Sequence, residues 1–266
     1  MIQHLPPKDY WEERLKENFN LHGTGFITLG RNYNNWMYKV RRRVVLKKIM
    51  PICRNDFHKM EVLDIGTGTG FYFKVWKELG AKKAVGVDIT NIAVENLKRN
   101  FPGEEFYQLD IGGDIRNIAR HQYDLISAFS VLFHIIDDGQ YEKAIENICS
   151  LLRPGGIFVF SDNFLHGQTL RSTYQVSRSL ELVEKILAKN SFEIIERCPM
   201  FVLMNAPVDT ERSTAIISWN VIQSLIKRNE ALGSIIGGIL YPLELLLVSF
   251  LKESPTTEMM ICKKAS

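Results

Sequence analysis

The chain has 266 residues, of which 45% are hydrophobic and 24% charged, a composition typical of a soluble globular protein with one large core. Its net charge of +3 and pI near 8.6 are too mild to indicate a nucleic-acid-binding protein, whose basic residues cluster on one face. Cys53, Cys149, Cys198 and Cys262 form no C-x-x-C pair, which argues against both a zinc site and a disulfide framework. We therefore expect a cytoplasmic protein with no metal site.

The first zone, residues 1–57, is predicted to be a helical lid, because it is rich in aromatic residues and lacks strand-like alternation. We expect no secretory signal at its N-terminus, where no basic stretch precedes an apolar run. The basic sequence KVRRRVVLKK, residues 39–48, favours an amphipathic helix with a solvated basic face over a phosphate- or membrane-contacting patch. The sequence HGTGF at residues 22–26 follows no strand and is interpreted as a turn between helices.

The second zone, residues 58–206, alternates short β-like runs with helical ones. Strands separated by single helices predict a doubly wound α/β fold, in which a mostly parallel sheet carries helices on both faces. Ligands then bind at the carboxyl ends of the strands. The predicted strands are residues 61–65, 83–89, 105–111, 123–129 and 156–162, and the clearest helices are residues 91–100 and 141–152.

A second GTGF lies within VLDIGTGTGFY, after the predicted strand Val62–Ile65 and before a predicted helix, Phe71–Gly80. Glycines in such a turn let a ligand approach the backbone at a helix N-terminus. The dinucleotide pattern G-x-G-x-x-G fails in both registers, because Phe71 or Phe73 occupies its last position. The pattern present is D-x-G-x-G-x-G, formed by Asp64, Gly66, Gly68 and Gly70.

This pattern, flanked by a strand and a helix, resembles the first motif of the class I S-adenosylmethionine-dependent methyltransferases. The resemblance extends over roughly residues 61–162 and implies a fold that closes with two further strands, giving a seven-stranded sheet. It implies that Asp88 binds the ribose hydroxyls, with Ile89 beside it, and that Asp110 receives the adenine amino group, with Ile111 beside the ring. An acid at Asp88 would also suit an NAD-binding fold, so that residue alone is ambiguous.

The remaining candidate residues have roles that follow from the chemistry of this cofactor, a cationic sulfonium with an amino-acid tail. Asp64 is predicted to hold the amino end directly or through water, or else to order the glycine turn. Phe129 is predicted to line the slot between cofactor and acceptor. His134 is the candidate catalytic base, because its usual pKa suits proton removal near neutrality, although positioning of the acceptor alone would also accelerate transfer.

At two places the sequence lacks motifs found in some members of this family, and these differences limit the classes of methyl acceptor. No [DN]-P-P-Y follows the fourth strand, which argues against methylation of amino groups on nucleobases or glutamine. Asp162-Asn163 is similar to the Mg²⁺-binding pair of catechol-type enzymes, but no acidic residue follows the fourth strand directly, so we expect no metal.

The third zone is a helical insertion, residues 207–257, before the last strand of the core, residues 258–266. The strands that close the sheet are placed at residues 192–203 and 258–264, with a helix at 213–227 between them. Residues 231–251 are long and apolar enough to cross a bilayer, but a single crossing would separate the last strand from its sheet. We expect a cap over the acceptor site, with contact to a membrane surface as the alternative.

These features predict a methyltransferase that uses S-adenosylmethionine and acts on a small-molecule, glycan or lipid-linked acceptor at oxygen, with no nucleic-acid partner. Two alternatives remain at this stage: an NAD-dependent oxidoreductase, whose glycine pattern is missing, and a non-catalytic S-adenosylmethionine-binding protein. The sequence leaves the oligomeric state open.

Overall fold

The computed structural model describes residues 6–54, 56–118 and 122–265. Residues 1–5 and 55 of the predicted N-terminal lid, and residue 266 of the predicted last segment, lie outside the described residues, as do residues 119–121.

The centre of the molecule is a seven-stranded sheet with the strand order β3-β2-β1-β4-β5-β9-β8. The first five strands of this order run parallel, and β9 is antiparallel to both β5 and β8. This is the predicted doubly wound α/β sheet. The strands are β1 (Glu61–Ile65), β2 (Lys83–Asp88), β3 (Glu105–Gln108), β4 (Tyr123–Phe129), β5 (Leu152–Asp162), β8 (Phe192–Pro199) and β9 (Glu258–Lys264); β6 (Leu170–Arg171) and β7 (Val176–Ser177) form a small separate hairpin.

Alternating side chains along the strands build a separate hydrophobic core on each face of the sheet. Val62 and Val159 point into one core, and their neighbours Leu63 and Phe158 point into the other. The first core is covered by α3 (Gly30–Ile52) and α4 (Phe71–Glu78), and the second by α6 (Asp138–Leu151) and α7 (Leu180–Lys189). The predicted arrangement of helices on both faces is therefore confirmed.

The N-terminal helices are α1 (Pro7–Glu17), the short α2 (Leu21–Thr24) and α3. The Glu12 carboxylate of α1 accepts hydrogen bonds from the backbone N–H groups of Asn91 and Ile92, at 2.8 and 3.1 Å. These groups begin α5 (Asn91–Asn100), where a helix has unpaired N–H donors. The carboxylate thus joins α1 to the edge of the core.

The insertion contains two helices, α8 (Ser213–Ile226) and α9 (Glu230–Phe250), as predicted. α9 lies beside α3 and runs in the same direction, because Glu230 bonds the backbone N–H groups of Arg31 and Asn32 while Ser249 bonds the Lys47 ammonium further along. By length and composition alone, α9 is long and apolar enough to cross a membrane.

Four predicted strands end or begin elsewhere in the structure, and one of them, β2, ends a single residue early, at Asp88. β3 stops at Gln108 because Asp110 begins a turn, in which its Oδ1 accepts from the Gly112 N–H at 2.9 Å. β5 begins at Leu152, which pairs with Tyr123 ahead of an irregularity in the register with β4. β8 ends at Pro199, before the loop that leads to the insertion.

Candidate active site

The glycine turn lies between β1 and α4, at the carboxyl end of the central strand. Gly66 and Gly68 have φ angles of +64° and +54°, in the left-handed region that other residues rarely adopt. A Cβ on Gly66 would overlap the Val131 side chain, and one on Gly68 would lie 2.9 Å from Thr24 Cγ2. Both positions therefore require glycine, for backbone conformation and for close approach.

Gly70 has a different role from the other two glycines. It is the N-cap of α4, and a Cβ there would meet the side chains of Leu97 and Phe101. It does not line the cavity described next. The structure thus places it at a packing contact between α4 and α5.

A cavity opens at the carboxyl ends of β1, β2 and β4, where the strand order reverses. It encloses about 990 Å³ free of protein atoms, part of which is open solvent. Eight of the ten predicted site residues line it, and Asp64 and Gly70 do not: the eight are Gly66, Gly68, Asp88, Ile89, Asp110, Ile111, Phe129 and His134.

Asp88 holds the glycine turn as well as facing the cavity. Its Oδ2 accepts from the Gly68 N–H at 2.8 Å, and its Oδ1 accepts from the N–H and the hydroxyl of Thr90 at 2.9 and 2.7 Å. Burial raises the pKa of this carboxyl, against the effect of these hydrogen bonds. Lone pairs of the carboxylate remain for ligand hydroxyls beyond these three bonds.

Asp64 is buried at the end of β1, directly before the cavity-lining residues Ile65 and Gly66. Its Oδ1 accepts from the Ser127 hydroxyl at 2.6 Å, and that hydroxyl accepts from Trp76 Nε1 at 3.0 Å. Its Oδ2 has no hydrogen-bond partner among the described residues. Burial raises the pKa of Asp64 to about 7, so a cationic partner would both ionise and satisfy this carboxyl.

Asp110, Ile89 and Ile111 line the part of the cavity beyond β2 and β3. Ile111 is buried, whereas Asp110 is exposed and keeps an oxygen free of its turn hydrogen bond. Two aliphatic side chains near one carboxylate suit a flat, polar-edged ring. The adenine subsite that the resemblance implies at these residues stays a prediction.

Aromatic rings line the other side of the cavity. The rings of Phe129 and Tyr72 stack with centroids 4.0 Å apart, and Phe71 packs against Tyr38 at 4.7 Å. Ser130, next to Phe129, has a φ angle of +57°, an unfavourable conformation for this residue type that often marks functional sites. The slot between these rings is apolar on most sides.

His134 follows β4 in a short 3-10 turn, Leu132–His134, and its ring lies edge-on to Trp11 with centroids 5.0 Å apart. Its Nδ1 is 3.0 Å from the Tyr174 carbonyl oxygen, which only accepts, so Nδ1 carries the proton and Nε2 the lone pair. Burial lowers the pKa of His134 to about 4, against the effect of the Tyr174 carbonyl. The imidazole is therefore neutral at physiological pH.

Arg41 is a partly buried cation at the cavity wall that the sequence analysis missed. Its Nη1 donates to the Ser130 hydroxyl at 3.1 Å, and its guanidinium lies 5.2 and 5.4 Å from the ring centroids of Tyr38 and Phe201. Its Nε is buried without a hydrogen-bond partner, and no carboxylate pairs with it among the residues that the structure describes. A partly buried guanidinium with no carboxylate partner favours an anionic ligand.

The N-terminal helices, which the sequence analysis predicted as a lid, line the cavity. Pro7, Trp11 and Leu15 of α1, Thr24 of α2, and Tyr38 with Arg41 of α3 all line it. Tyr38 and Arg41 are three residues apart on α3, so both side chains face the cavity. The sequence signal that could have identified Arg41 as a site residue was its position as a basic residue on the apolar side of the predicted amphipathic helix. The two GTGF sequences also meet, because Thr24 of the first contacts Gly68 of the second.

The expected cap over the acceptor site needs correction. No residue of the insertion 207–257 lines the cavity. Instead Trp219, Ile226 and Val248 are buried in the same core as Val40 and Val44 of α3. The insertion supports the outer side of α3, and α3 contacts the cavity.

Asp162 and Asn163 lie away from the cavity. Asn163 bonds Ser177 and Thr257 through its side-chain amide, at 3.2 and 3.0 Å. Asp162 is buried, and burial raises the pKa of its carboxyl to about 7. The nearby Arg178 cation opposes this rise, because it favours the ionised carboxylate. Within residues 6–54, 56–118 and 122–265, no cluster of three or more metal-binding side chains includes this pair.

Comparison with known proteins agrees with the fold. Residues 37–205 match the family model described as a methyltransferase domain. This match covers more than half of the chain, and the chain belongs to this family. It is a class I S-adenosylmethionine-dependent methyltransferase, with S-adenosylmethionine as its cofactor.

Sequence relatives in this family have different acceptors in their names. A malonyl-[acyl-carrier protein] O-methyltransferase of Buchnera aphidicola is 24% identical, over 73% of this chain and 84% of its own length. An mRNA cap guanine-N(7) methyltransferase of Caenorhabditis briggsae is 23% identical over 48% of this chain and 37% of its own. A ribosomal protein L11 methyltransferase of Dictyoglomus turgidum is 28% identical, over 52% and 40% respectively. The chain thus spans well under half of two of these relatives.

Solved structures show the same fold at low sequence identity. Magnesium protoporphyrin IX methyltransferase from Synechocystis, with bound S-adenosylmethionine, has a TM-score of 0.59 at 13% identity and covers all of both chains. The N-methyltransferase NodS from Bradyrhizobium japonicum, with S-adenosyl-L-homocysteine, has a TM-score of 0.57 at 14% identity, over 98% of this chain and 100% of its own. An O-methyltransferase from a trans-AT PKS multienzyme of Brevibacillus brevis scores 0.57 at 20% identity, over 85% and 72%.

Proposed function

We propose that this methyltransferase acts on an oxygen atom of a small-molecule, glycan or lipid-linked acceptor, which binds between the cofactor subsite and the N-terminal helices. The observation that carries the proposal is that one cavity joins the glycine turn and Asp88 to an aromatic slot with a partly buried cation, Arg41. The bound cofactor supplies a methyl group on a cationic sulfur. A cavity of about 990 Å³, part of it open solvent, has the size of a small-molecule site, which suits a small or extended acceptor better than a folded protein or nucleic acid.

The residues on the sheet side suit the nucleoside part of the cofactor. In this proposal Asp88 accepts hydrogen bonds from the two ribose hydroxyls, and Asp110 accepts from the adenine amino group between Ile89 and Ile111. The backbone N–H groups around Gly66 and Gly68 approach the amino-acid tail. Gly70 supports the turn through its packing rather than by contact with the cofactor.

Two buried groups suit the charged ends of the amino-acid tail. Asp64 Oδ2, which has no partner among the described residues, would receive the ammonium group through a water or a small shift of the turn. Arg41 Nε, buried and likewise without a partner among them, would donate to the carboxylate. The pair thus matches a zwitterionic tail that crosses the glycine turn.

His134 is the residue we propose as the proton acceptor. Its Nε2 lone pair is free when Nδ1 donates to Tyr174, and the ring lines the cavity. A hydroxyl oxygen becomes strongly acidic while it bonds to the methyl carbon, so a weak base of low pKa is sufficient to take the proton. Alignment of the oxygen with the methyl group by the aromatic slot contributes the other part of the acceleration.

Oxygen as the methylated atom is supported by the relatives named as O-methyltransferases, one of which aligns over 73% of this chain. A cytoplasmic location is part of the same proposal. The four cysteines are free, and three of them are buried, which suits a reducing compartment.

The test is transfer from S-adenosylmethionine with a ¹³C-labelled methyl group to fractionated cell extracts, aqueous and organic. The proposal expects label in a small or lipid-linked product, with the NMR shift of a methyl group on oxygen. Label on nitrogen would overturn the choice of atom, and label only in protein or RNA would overturn the acceptor class. Asp88→Ala is the matched negative control, because it removes the proposed ribose contact.

A further inference from the structure

The outer surface of α8 and α9, called here the α8–α9 face, exposes many large apolar side chains. On α9 they recur every three or four residues and so form one stripe along the helix. Ile239 is 68% exposed and Phe250 is 77% exposed. The face consists of Ile216, Ile217 and Val221 of α8, and Ile235, Ile239, Leu243, Leu246 and Phe250 of α9.

The α8–α9 face carries no charge. The sequence of α8, Ser213–Ile226, contains no charged residue, and that of α9 contains only Glu230 and Glu244. Glu230 bonds the first N–H groups of α3. Glu244 is buried and accepts from the backbone N–H groups of Val202 and Leu203, at 2.5 and 2.9 Å. A large uncharged apolar surface of this kind indicates an interaction site.

Basic side chains border this face. Lys39, Arg43 and Lys47 are exposed and four residues apart, so they form a row on α3, and Lys47 donates to Ser249 of α9 at 2.9 Å. Three further exposed cations stand at the ends of the helices: Lys227 and Arg228 between α8 and α9, and Lys252 after α9. In the described part of the chain, none of these six cations forms an ion pair. No acidic residue occurs in α3.

We propose that the α8–α9 face docks onto the surface of an anionic lipid bilayer, with both helices lying in the interfacial plane. The apolar stripe would enter the boundary between headgroups and acyl chains, while the basic border would meet the lipid phosphates. α9 does not cross the bilayer, because Glu230 near its start bonds α3 and Glu244 in its second half bonds the loop before α8. The helix that follows the membrane plane thus stays attached to the core along its length.

A second copy of the chain fits this surface less well than a lipid surface does. A two-fold interface through the α8–α9 face would bring each basic border towards the other, and α3, α8 and α9 offer no free carboxylate to pair with it. The face is also separate from the active site, since neither α8 nor α9 contributes to the cavity lining. Membrane docking therefore stands independently of the proposed acceptor.

The experiment is co-sedimentation of the full chain with vesicles of phosphatidylcholine alone or mixed with phosphatidylglycerol. We expect binding to the anionic vesicles that weakens with added salt. Ile239→Glu and Phe250→Glu should each reduce the bound fraction about tenfold or more, because they place charge on the docking stripe. Lys39→Glu with Arg43→Glu should reduce binding to anionic vesicles without exposing any apolar surface.

The matched control is Leu170→Glu, which alters a side chain of similar exposure, 58%, in the β6–β7 hairpin outside the face. It should bind vesicles as the unaltered protein does. Melting temperature and S-adenosylhomocysteine affinity show that each variant is folded. Absence of vesicle binding, equal losses in Leu170→Glu and Ile239→Glu, or a dimer that only Ile239→Glu dissociates would overturn the proposal.

Discussion

At the scale of single residues, Asp64 links cofactor affinity to pH. Its pKa is about 7 in the free protein, and an ammonium group beside it would lower that pKa. Affinity for S-adenosylhomocysteine should therefore rise as pH increases from 5.5 to about 7.5 and then level off, with proton release on binding near neutrality. Calorimetry in buffers of different ionisation enthalpy measures both effects, and Asp64→Asn should remove them. An unchanged slope in that variant would assign the titration to another group.

His134 makes a separate pH prediction. Because its pKa lies near 4, the imidazole is neutral above about pH 5, and kcat/KM should show no acid limb near the usual histidine pKa. His134→Gln should lower kcat about 100-fold with little change in KM if the residue takes the proton. Steady-state rates between pH 5.5 and 8.5 provide the measurement. A variant that keeps the normal kcat would make His134 a structural residue.

Arg41 and Lys39 form a natural pair for a test of the partly buried cation, because they are on one helix but face opposite environments. Arg41→Met keeps a flexible, unbranched stem but removes the charged group, and it should weaken cofactor binding by about 1.5–3 kcal/mol through loss of charge-assisted hydrogen bonds. Lys39→Met should leave cofactor binding unchanged. Titration calorimetry on both folded variants compares them, and equal affinities would remove Arg41 from the cofactor site.

Most site residues could be predicted from sequence because they follow strands, and strand ends in a parallel sheet converge. Gly66 was found in this way, whereas the roles of Asp88 and Asp110 came from the resemblance to the methyltransferase family. Arg41 and Trp11 were not predicted, since they come from helices whose docking depends on three-dimensional packing. A basic residue within a basic run gives no sign of whether it faces solvent or a cavity.

At the scale of elements, the two glycine turns differ in how they affect function. Gly68→Val would place valine in a left-handed backbone conformation and bring its Cβ to 2.9 Å from Thr24 Cγ2, so it should abolish measurable cofactor binding. Gly25→Val would press on the Asn34 amide and the Leu21 carbonyl, and should lower the melting temperature first. Gly103→Val is the control, with φ at +88° but nothing within 4 Å of its Cβ. Equal and specific losses of affinity in Gly25→Val and Gly68→Val would show that both turns bind the cofactor.

The strands and core helices could be predicted from the sequence because each has a strong local hydrophobic pattern. The predicted and observed bounds of β4 and α5 agree. The small β6–β7 hairpin was missed, because strands of two residues have no periodicity. The lid was predicted as helical, but its position over the cavity depends on contacts such as Glu12 with the start of α5. Local sequence does not encode such contacts between distant segments.

At the scale of the whole molecule, packing contacts connect the insertion to α3, and α3 to the cavity. α9 packs against the outer side of α3, and α3 presents Tyr38 and Arg41 to the cavity. A cap over the acceptor site alone would leave cofactor binding independent of the insertion. The packing indicates instead that its removal would expose the apolar side of α3 and disturb the residues that α3 places in the site.

Glu244 connects the insertion to the loop before α8 by hydrogen bonds, and it is the only charged residue within the apolar part of α9. Glu244→Ala would leave the Val202 and Leu203 N–H groups without their acceptor and should cost about 2–6 kcal/mol of unfolding free energy, at about 1–3 kcal/mol for each unsatisfied group. Chemical denaturation measures this loss. Leu246→Ala, at an exposed position of the same helix, is the matched control and should cost little. Cofactor affinity should fall in folded Glu244→Ala as well, because α3 loses part of its support; full affinity in that variant would show that α3 holds its position without the insertion.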